Sequence, residues 1–306
     1  MRVFLCGIYL MLLSCASVPK QTEALLTGFY DGPSTHRIHN VPFIEQSTGH
    51  CGPAALTMVL NYWQKGISLE EIAPQVYTPG MKGSFQTDMV TAARRQGMMA
   101  IPIAGLRDLL KEIESGHPVI IFENLSVSWL PRWHYAVVFG YDLRQEVALM
   151  HSGPEKNKSW DLRKFERSWM LGDYWGLVVL PPDKLTATAK EIDHVKAAAA
   201  LEELGKKEEA EKAYLRILKK WPHSLGALIG LGNIKYSENR TRQAEEYLTQ
   251  ATKSHPNSAI AWHNLTIAFA ANGKSEQAKK SASEALKYAS PAEKNIFAEN
   301  LKTWTN

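Results

Sequence analysis

Apolar and polar positions divide the 306-residue chain into two regimes. Up to about residue 181 the apolar runs are short and of mixed period. Residues 54–60, Ala-Ala-Leu-Thr-Met-Val-Leu, follow Gly52-Pro53 directly. Proline suits a first helical turn, where its missing N–H has no partner to lose, so a buried helix is predicted here. Ser68-Leu-Glu-Glu71 has capping-box spacing and opens a second helix. Residues 87–95 and 106–114 read as further helices, stopping at Gly97 and at Ser115-Gly116. Residues 41–44, 101–103, 118–122, 134–141, 146–150 and 175–180 are apolar runs of strand length. Helices first and a sheet afterwards predict an α+β domain over residues 40–181.

Pro181-Pro182-Asp183-Lys184 marks a stiff boundary, after which Ala, Glu, Lys and Leu dominate. A period then appears, with Pro222 and Pro256 34 residues apart and Pro291 35 further on. Gly205 and Gly273, then Ala210, Ala244 and Ala278, then Ala251 and Ala285 recur within it. Small residues at these places let paired helices approach, and Tyr214, Leu248, Trp262, Leu265 and Phe269 fill between pairs. The pattern resembles tetratricopeptide repeats. The resemblance implies an all-α solenoid of three repeats over residues 191–290, binding a protein partner. Residues 291–306 add a capping helix with Phe297, Leu301 and Trp304 on one face.

The amino terminus carries an address. Arg2 precedes the apolar run Val3 to Leu13, which is too short to span a bilayer permanently. It ends Leu12-Leu13-Ser14-Cys15, which resembles a bacterial lipobox. That implies a lipoprotein signal peptide over residues 1–15, cleaved before Cys15, with acylation of Cys15 and an anchor at the periplasmic face of the outer membrane. Residues 16–39 are polar and Gly/Pro/Thr-containing and read as a tether. The net charge of +4 is too small to demand nucleic acid as a partner. Of three cysteines, Cys6 and Cys15 lie in the leader, so the mature chain keeps a single thiol, Cys51. A lone thiol in an exported protein has no intramolecular disulfide to form and draws attention as a reactive group.

Cys51 falls at the predicted helix start, where unpaired N–H groups and the helix dipole favour a thiolate. A thiolate is the nucleophile of covalent acyl transfer. Gln46, five residues upstream, has an amide able to donate to an oxyanion beside the Cys51 N–H. His134 opens a strand just past a loop and offers the base. Zinc is a competing use for His36, His39, His50 and Cys51, but with no second cysteine and no His-x-x-x-His no metal or other cofactor is expected.

Three motifs then stand in order: Gln46-(four residues)-Cys51-Gly-Pro-Ala-Ala-Leu56, Gly116-His-Pro-Val-Ile120, and His134-Tyr-Ala-Val-Val-Phe-Gly-Tyr141. Together they resemble the bacteriocin-processing, double-glycine leader peptidases, which are papain-like cysteine peptidases. The resemblance covers about residues 41–180. It implies Cys51 as nucleophile, His134 as general base and then acid, and Gln46 as oxyanion donor. The family places an acidic residue on the strand after the histidine strand. Here that strand reads Val147-Ala-Leu-Met-His151-Ser152-Gly-Pro154, with no carboxylate. His151 is taken as the orienter, with Ser152 as the other occupant of that place. The whole chain thus reads as a lipid-anchored cysteine peptidase, its repeats binding a substrate or partner. A catalytically weak or inactive peptide-binding adaptor and a papain-fold acyltransferase or amidase are the alternatives.

Overall fold

The computed structural model describes residues 19–28, 30–45, 49–81 and 83–302. Two antiparallel sheets and thirteen α-helices are built from them. The chain opens with α1 (Lys20–Thr27) and β1 (Thr35–Arg37), then α2 (Cys51–Tyr62) and α3 (Leu69–Val76). A small hairpin, β2 (Tyr77–Thr78) and β3 (Gly83–Ser84), precedes α4 (Gln86–Arg95), β4 (Met99–Ala104) and α5 (Leu106–Glu114). The sheet is completed by β5 (Val119–Asn124), β6 (Trp133–Asp142), β7 (Val147–Ser152) and β8 (Glu155–Asp161), then α6 (Leu162–Met170) and β9 (Trp175–Leu180). Its order is β4-β9-β5-β6-β7-β8, with β1 pairing the far end of β6.

Side chains alternate across a strand, and here both faces are covered. Ile120, Tyr135, Val137, Leu177 and Val179 pack under α2, α3 and α4. Their strand neighbours Val119, Ile121, Ala136, Val138, Val178 and Leu180 pack under α5 and α6. Two-sided burial is why β5 and β6 are apolar almost throughout. The edge strand β4 is covered by α7 (Glu191–Glu203), whose Ala197, Ala198 and Leu201 join the second core.

Residues 16–39 were expected to be a tether, and the described part of that stretch is instead built into the domain. The amides of Gln21 and Thr22 donate to the buried carboxylate of Glu166 on α6, and the Gln21 side chain caps α5 by accepting from Leu106 N–H at 2.6 Å. Ile38 is buried. Residues 41–45, expected to include a strand, carry no ladder. Polar composition misled there because the segment satisfies its polar groups against side chains rather than against water.

From α7 the helices pack in successive pairs, α7 with α8 (Lys207–Lys220), α9 (Leu225–Ser237) with α10 (Thr241–Ser254) and α11 (Ala259–Ala271) with α12 (Ser275–Tyr288), and α13 (Pro291–Lys302) follows. Ala210, Ala244, Ala251 and Ala285 are buried between them. Phe297 is buried and stacks on His263 at 4.1 Å. The side chain of Leu301 and the whole of Trp304 lie outside the described residues. Glu112 stitches the two regions together. Fully buried, it accepts from His117 Nδ1 at 2.7 Å, from the amides of Ala187 and Thr188, and from the Thr188 hydroxyl. Among the described residues no helix is long and apolar enough to cross a membrane.

Candidate active site

Cys51 is the first residue of α2, and His50 holds the position before it with its ring stacked on Tyr77 at 4.9 Å. The helix starts here because Pro53 cannot continue an upstream turn and Ala54 to Leu60 are all buried against the sheet. Gly52 lets the helix end press on β3, since a Cβ there would come within 2.4 Å of Ser84 Oγ. The Ser84 carbonyl in turn accepts from the Tyr135 hydroxyl at 3.1 Å, which fixes the hairpin against β6.

The backbone N–H groups of Tyr135, Gly52 and Cys51 itself stand close enough to the Cys51 thiol to favour its ionised form. Burial nevertheless pushes the thiol above its ordinary pKa, and these three donors offset only part of that rise. The thiolate favoured by position alone is therefore outweighed by desolvation. His134 stands one residue before Tyr135 on β6, at the mouth of the strand. Its Nε2 lies 3.1 Å from Ser152 Oγ, leaving Nδ1 as the other ring nitrogen. Burial, then the nearby charges of Lys158 and Arg132, push its pKa down to about 4. At neutral pH the site holds a thiol and a neutral imidazole. Both residues line one cavity of about 990 Å³, with Ser84, Phe122, Trp133 and Ser152 also on its walls.

His151 does not orient His134, contrary to expectation. Its Nε2 is 3.1 Å from the Val41 carbonyl and its Nδ1 accepts from Asn157 N–H, between Phe43 and Phe139. Adjacent strand residues project to opposite faces, so only one of the pair can meet the histidine, and Ser152 does. A hydroxyl accepts as well as donates, so Ser152 permits the tautomer with hydrogen on Nε2 and a free lone pair on Nδ1. Gln46 and Cys15 lie outside the described residues. Of the residues weighed for zinc, His36 sits in β1 opposite Tyr141. Among the described residues no three His, Cys, Asp or Glu side chains gather as a metal site.

This arrangement brings a thiol on a helix end and an imidazole on a strand to one cavity. Residues 38–173 match the Peptidase_C39 like family, and residues 193–266 match the tetratricopeptide repeat. The chain joins a Peptidase_C39-like domain to tetratricopeptide repeats. No curated protein matches it. Among solved structures, a double glycine motif protease from an AMS/PCAT transporter, in complex with the leader peptide, is 25% identical. That match covers 48% of this chain and 94% of the other, at a TM-score of 0.37. The peptidase domain of Streptococcus ComA, a bifunctional ABC transporter involved in a quorum sensing pathway, is 20% identical. It covers 46% of this chain and 99% of its own, at a TM-score of 0.39.

Besides the short β2–β3 hairpin, two longer elements of the Peptidase_C39-like domain escaped sequence reasoning, β8 and α6. β8 is an exposed edge strand, Glu-Lys-Asn-Lys-Ser-Trp-Asp, with no apolar alternation to betray it. α6 was readable: Leu162, Phe165 and Trp169 repeat at helical spacing, and Asp161 caps it by accepting from Lys164 N–H. These two elements bring Lys158 and Ser168 to the site, around a third missed residue, Glu123 on β5.

Proposed function

We propose that this chain is a thiol peptidase. Cys51 attacks a peptide carbonyl, and its proton passes to the imidazole of His134. His134 then hands that proton to the leaving amine, and water releases the acyl-enzyme. The observation that carries the reading is that Cys51, at the start of α2, and His134, at the start of β6, line one cavity. Since thiol and imidazole rest neutral, proton transfer accompanies attack, as a general base requires. Gln46 is the oxyanion donor in this reading, beside the Cys51 N–H. The repeats recruit a protein substrate or partner. Cys15 is the lipid attachment point, holding the enzyme in the bacterial envelope at the periplasmic face of the outer membrane.

The test is to incubate the full-length protein with a diverse peptide mixture and identify new termini by mass spectrometry. Cys51→Ser and His134→Ala should each abolish them. Product analysis with added amines separates hydrolysis from acyl transfer. Cleavage unchanged in Cys51→Ser would overturn the reading. One observation favours a second reading, an inactive peptide-binding adaptor: a neutral hydroxyl, Ser152, meets the His134 ring where a carboxylate would be expected. Peptide capture without cleavage, alongside Cys51 alkylation indifferent to His134→Ala, would establish that one instead.

A further inference from the structure

Glu123 stands directly across the ladder from His134. Residues opposed in an antiparallel pair project to the same face, with Cβ atoms about 5 Å apart. The Glu123 side chain is fully buried. Ser168 Oγ on α6 lies 2.7 Å from its Oε2, and also 2.8 Å from the Phe165 carbonyl, with one hydrogen to give. Oε1 is buried with no hydrogen-bond partner among the described residues. A carboxylate in this position is costly to keep, because burial without full pairing penalises the charge. An apolar side chain of similar size would make the more stable core.

Around Glu123 stand His134 from β6, Lys158 from β8 and Ser168 from α6, while the buried Glu166 of α6 accepts from the amides of Gln21 and Thr22 and from the Tyr174 hydroxyl. β9 has no ionisable side chain. On α5, Glu112 is held by His117 and Thr188, and Glu114 by Tyr30 and Tyr141. The cross-strand neighbour with chemistry to perform is therefore His134.

We propose that Glu123 is a positioning residue for His134, supplying the buried negative charge that stabilises the imidazolium formed when Cys51 gives up its proton. This rests on the thiol-peptidase reading. In a Ser–His–Asp arrangement one carboxylate both orients the imidazole and stabilises its charge. Here the two tasks are divided: Ser152 fixes the ring through Nε2, and Glu123 acts through its field from the neighbouring strand. The Cys51 S–H bond breaks as the imidazole N–H bond forms, and Glu123 keeps its own charge throughout. Burial raises its carboxyl to about 7, against the pull of Ser168 and Lys158. The charge is thus absent in acid and present in mild alkali, so the site is switched on as pH rises through neutrality.

The experiment follows the rate of Cys51 alkylation by iodoacetamide from pH 5.5 to 9 in the full-length protein. The variants are Glu123→Gln, Glu123→Asp and His134→Ala, with thermal melts at each pH. Wild type should show a limb near pH 7 before the main thiol rise. Glu123→Gln should lose that limb and react about tenfold more slowly at pH 8, the size of effect one buried charge has at this range. It should also melt at a higher temperature at pH 8, while Glu123→Asp keeps the limb. A Glu123→Gln protein that melts lower and alkylates like wild type would show a merely structural residue and overturn the proposal. Alkylation slowed by His134→Ala but indifferent to Glu123→Gln would also overturn it, leaving the peptidase reading intact. Indifference to His134→Ala would remove the peptidase reading itself.

Discussion

The sheet around His134 and the helical repeats bury different kinds of group. The repeats are filled by small apolar residues, Ala210, Ala213, Ala227, Ala244, Ala261 and Ala268 among them. Their buried cation, Lys235, is answered by two carboxylates, Glu211 at 2.6 Å and Glu238 at 3.0 Å. The sheet domain buries Glu123 and His151 outright and most of His134, with no ion pair among them. A charge that packing alone needs is paired; a charge left unpaired beside a nucleophile is a candidate for chemistry. The repeats maximise close approach. The sheet domain tolerates expense where the cavity opens.

Breaking the seam between the two regions should give the largest effect. Glu112 accepts four hydrogen bonds, three of them from Ala187 and Thr188 on the linker to α7. Burial pushes its carboxyl up, but donation from His117, Thr188 and Ala187 outweighs this and holds it below the ordinary range. Glu112→Ala strands those donors and should cost about 3–5 kcal/mol in urea unfolding. A group with a lowered folded pKa stabilises above its unfolded value and stops doing so as pH falls through its folded one. The Glu112→Ala penalty should therefore shrink in acid below about pH 4, the ordinary carboxylate value. A penalty constant with pH would show that packing, not charge, holds the seam.

The next effect separates the two buried groups of the sheet. His134 has its pKa lowered to about 4, so the unfolded chain binds more protons than the folded one between there and the ordinary histidine value. Its contribution to stability is lost as pH falls across that window. Glu123 has its pKa raised to about 7, so the folded chain holds the extra proton, and stability is lost as pH rises toward 7. The slopes oppose, and each shift corresponds to roughly 3 kcal/mol at full extent. Wild type should be nearly flat between pH 4.5 and 6.5. His134→Gln should unmask a fall in stability with rising pH, and Glu123→Gln a rise. Two flat variants would mean that neither group carries its shift.

How much of this the sequence announces differs between the regions for the same reason. The repeats advertise themselves through regular small residues, because one geometry is enforced every 34 positions. Cys51 and His134 were legible because each sits where an apolar element begins. Ser152 was not separable from His151, because the β7–β8 ladder slips between Met150 and Ser152 and parity cannot be counted through the irregularity. Glu123 was invisible for a simpler reason: a charged residue ending an apolar strand reads as an exit into solvent. Only the arrival of α6 over that strand end, with Ser168, turns the exit into an interior. The residues that stabilise are periodic and local in sequence, whereas those that tune chemistry are brought together by tertiary packing.

The smallest expected effect tests the periodic side. Gly205 and Gly273 end α7 and α11 with φ of 74° and 72°, left-handed values that close a helix end without Cβ crowding. The corresponding place after α9 is Asn239, with φ of 60°. A glycine search skips it, yet it completes the 34-residue spacing, since asparagine is among the few residues that adopt this conformation readily. Gly205→Ala and Gly273→Ala should each cost about 1 kcal/mol, the penalty for a Cβ in left-handed backbone. Asn239→Gly relieves the remaining strain but frees the unfolded chain, so the two terms nearly cancel and the change should stay within about 0.5 kcal/mol. Denaturant midpoints for the three variants check this directly. A loss at Asn239→Gly as large as at the two alanine variants would mean that the Asn239 side chain, and not its backbone angle, is what the second turn requires.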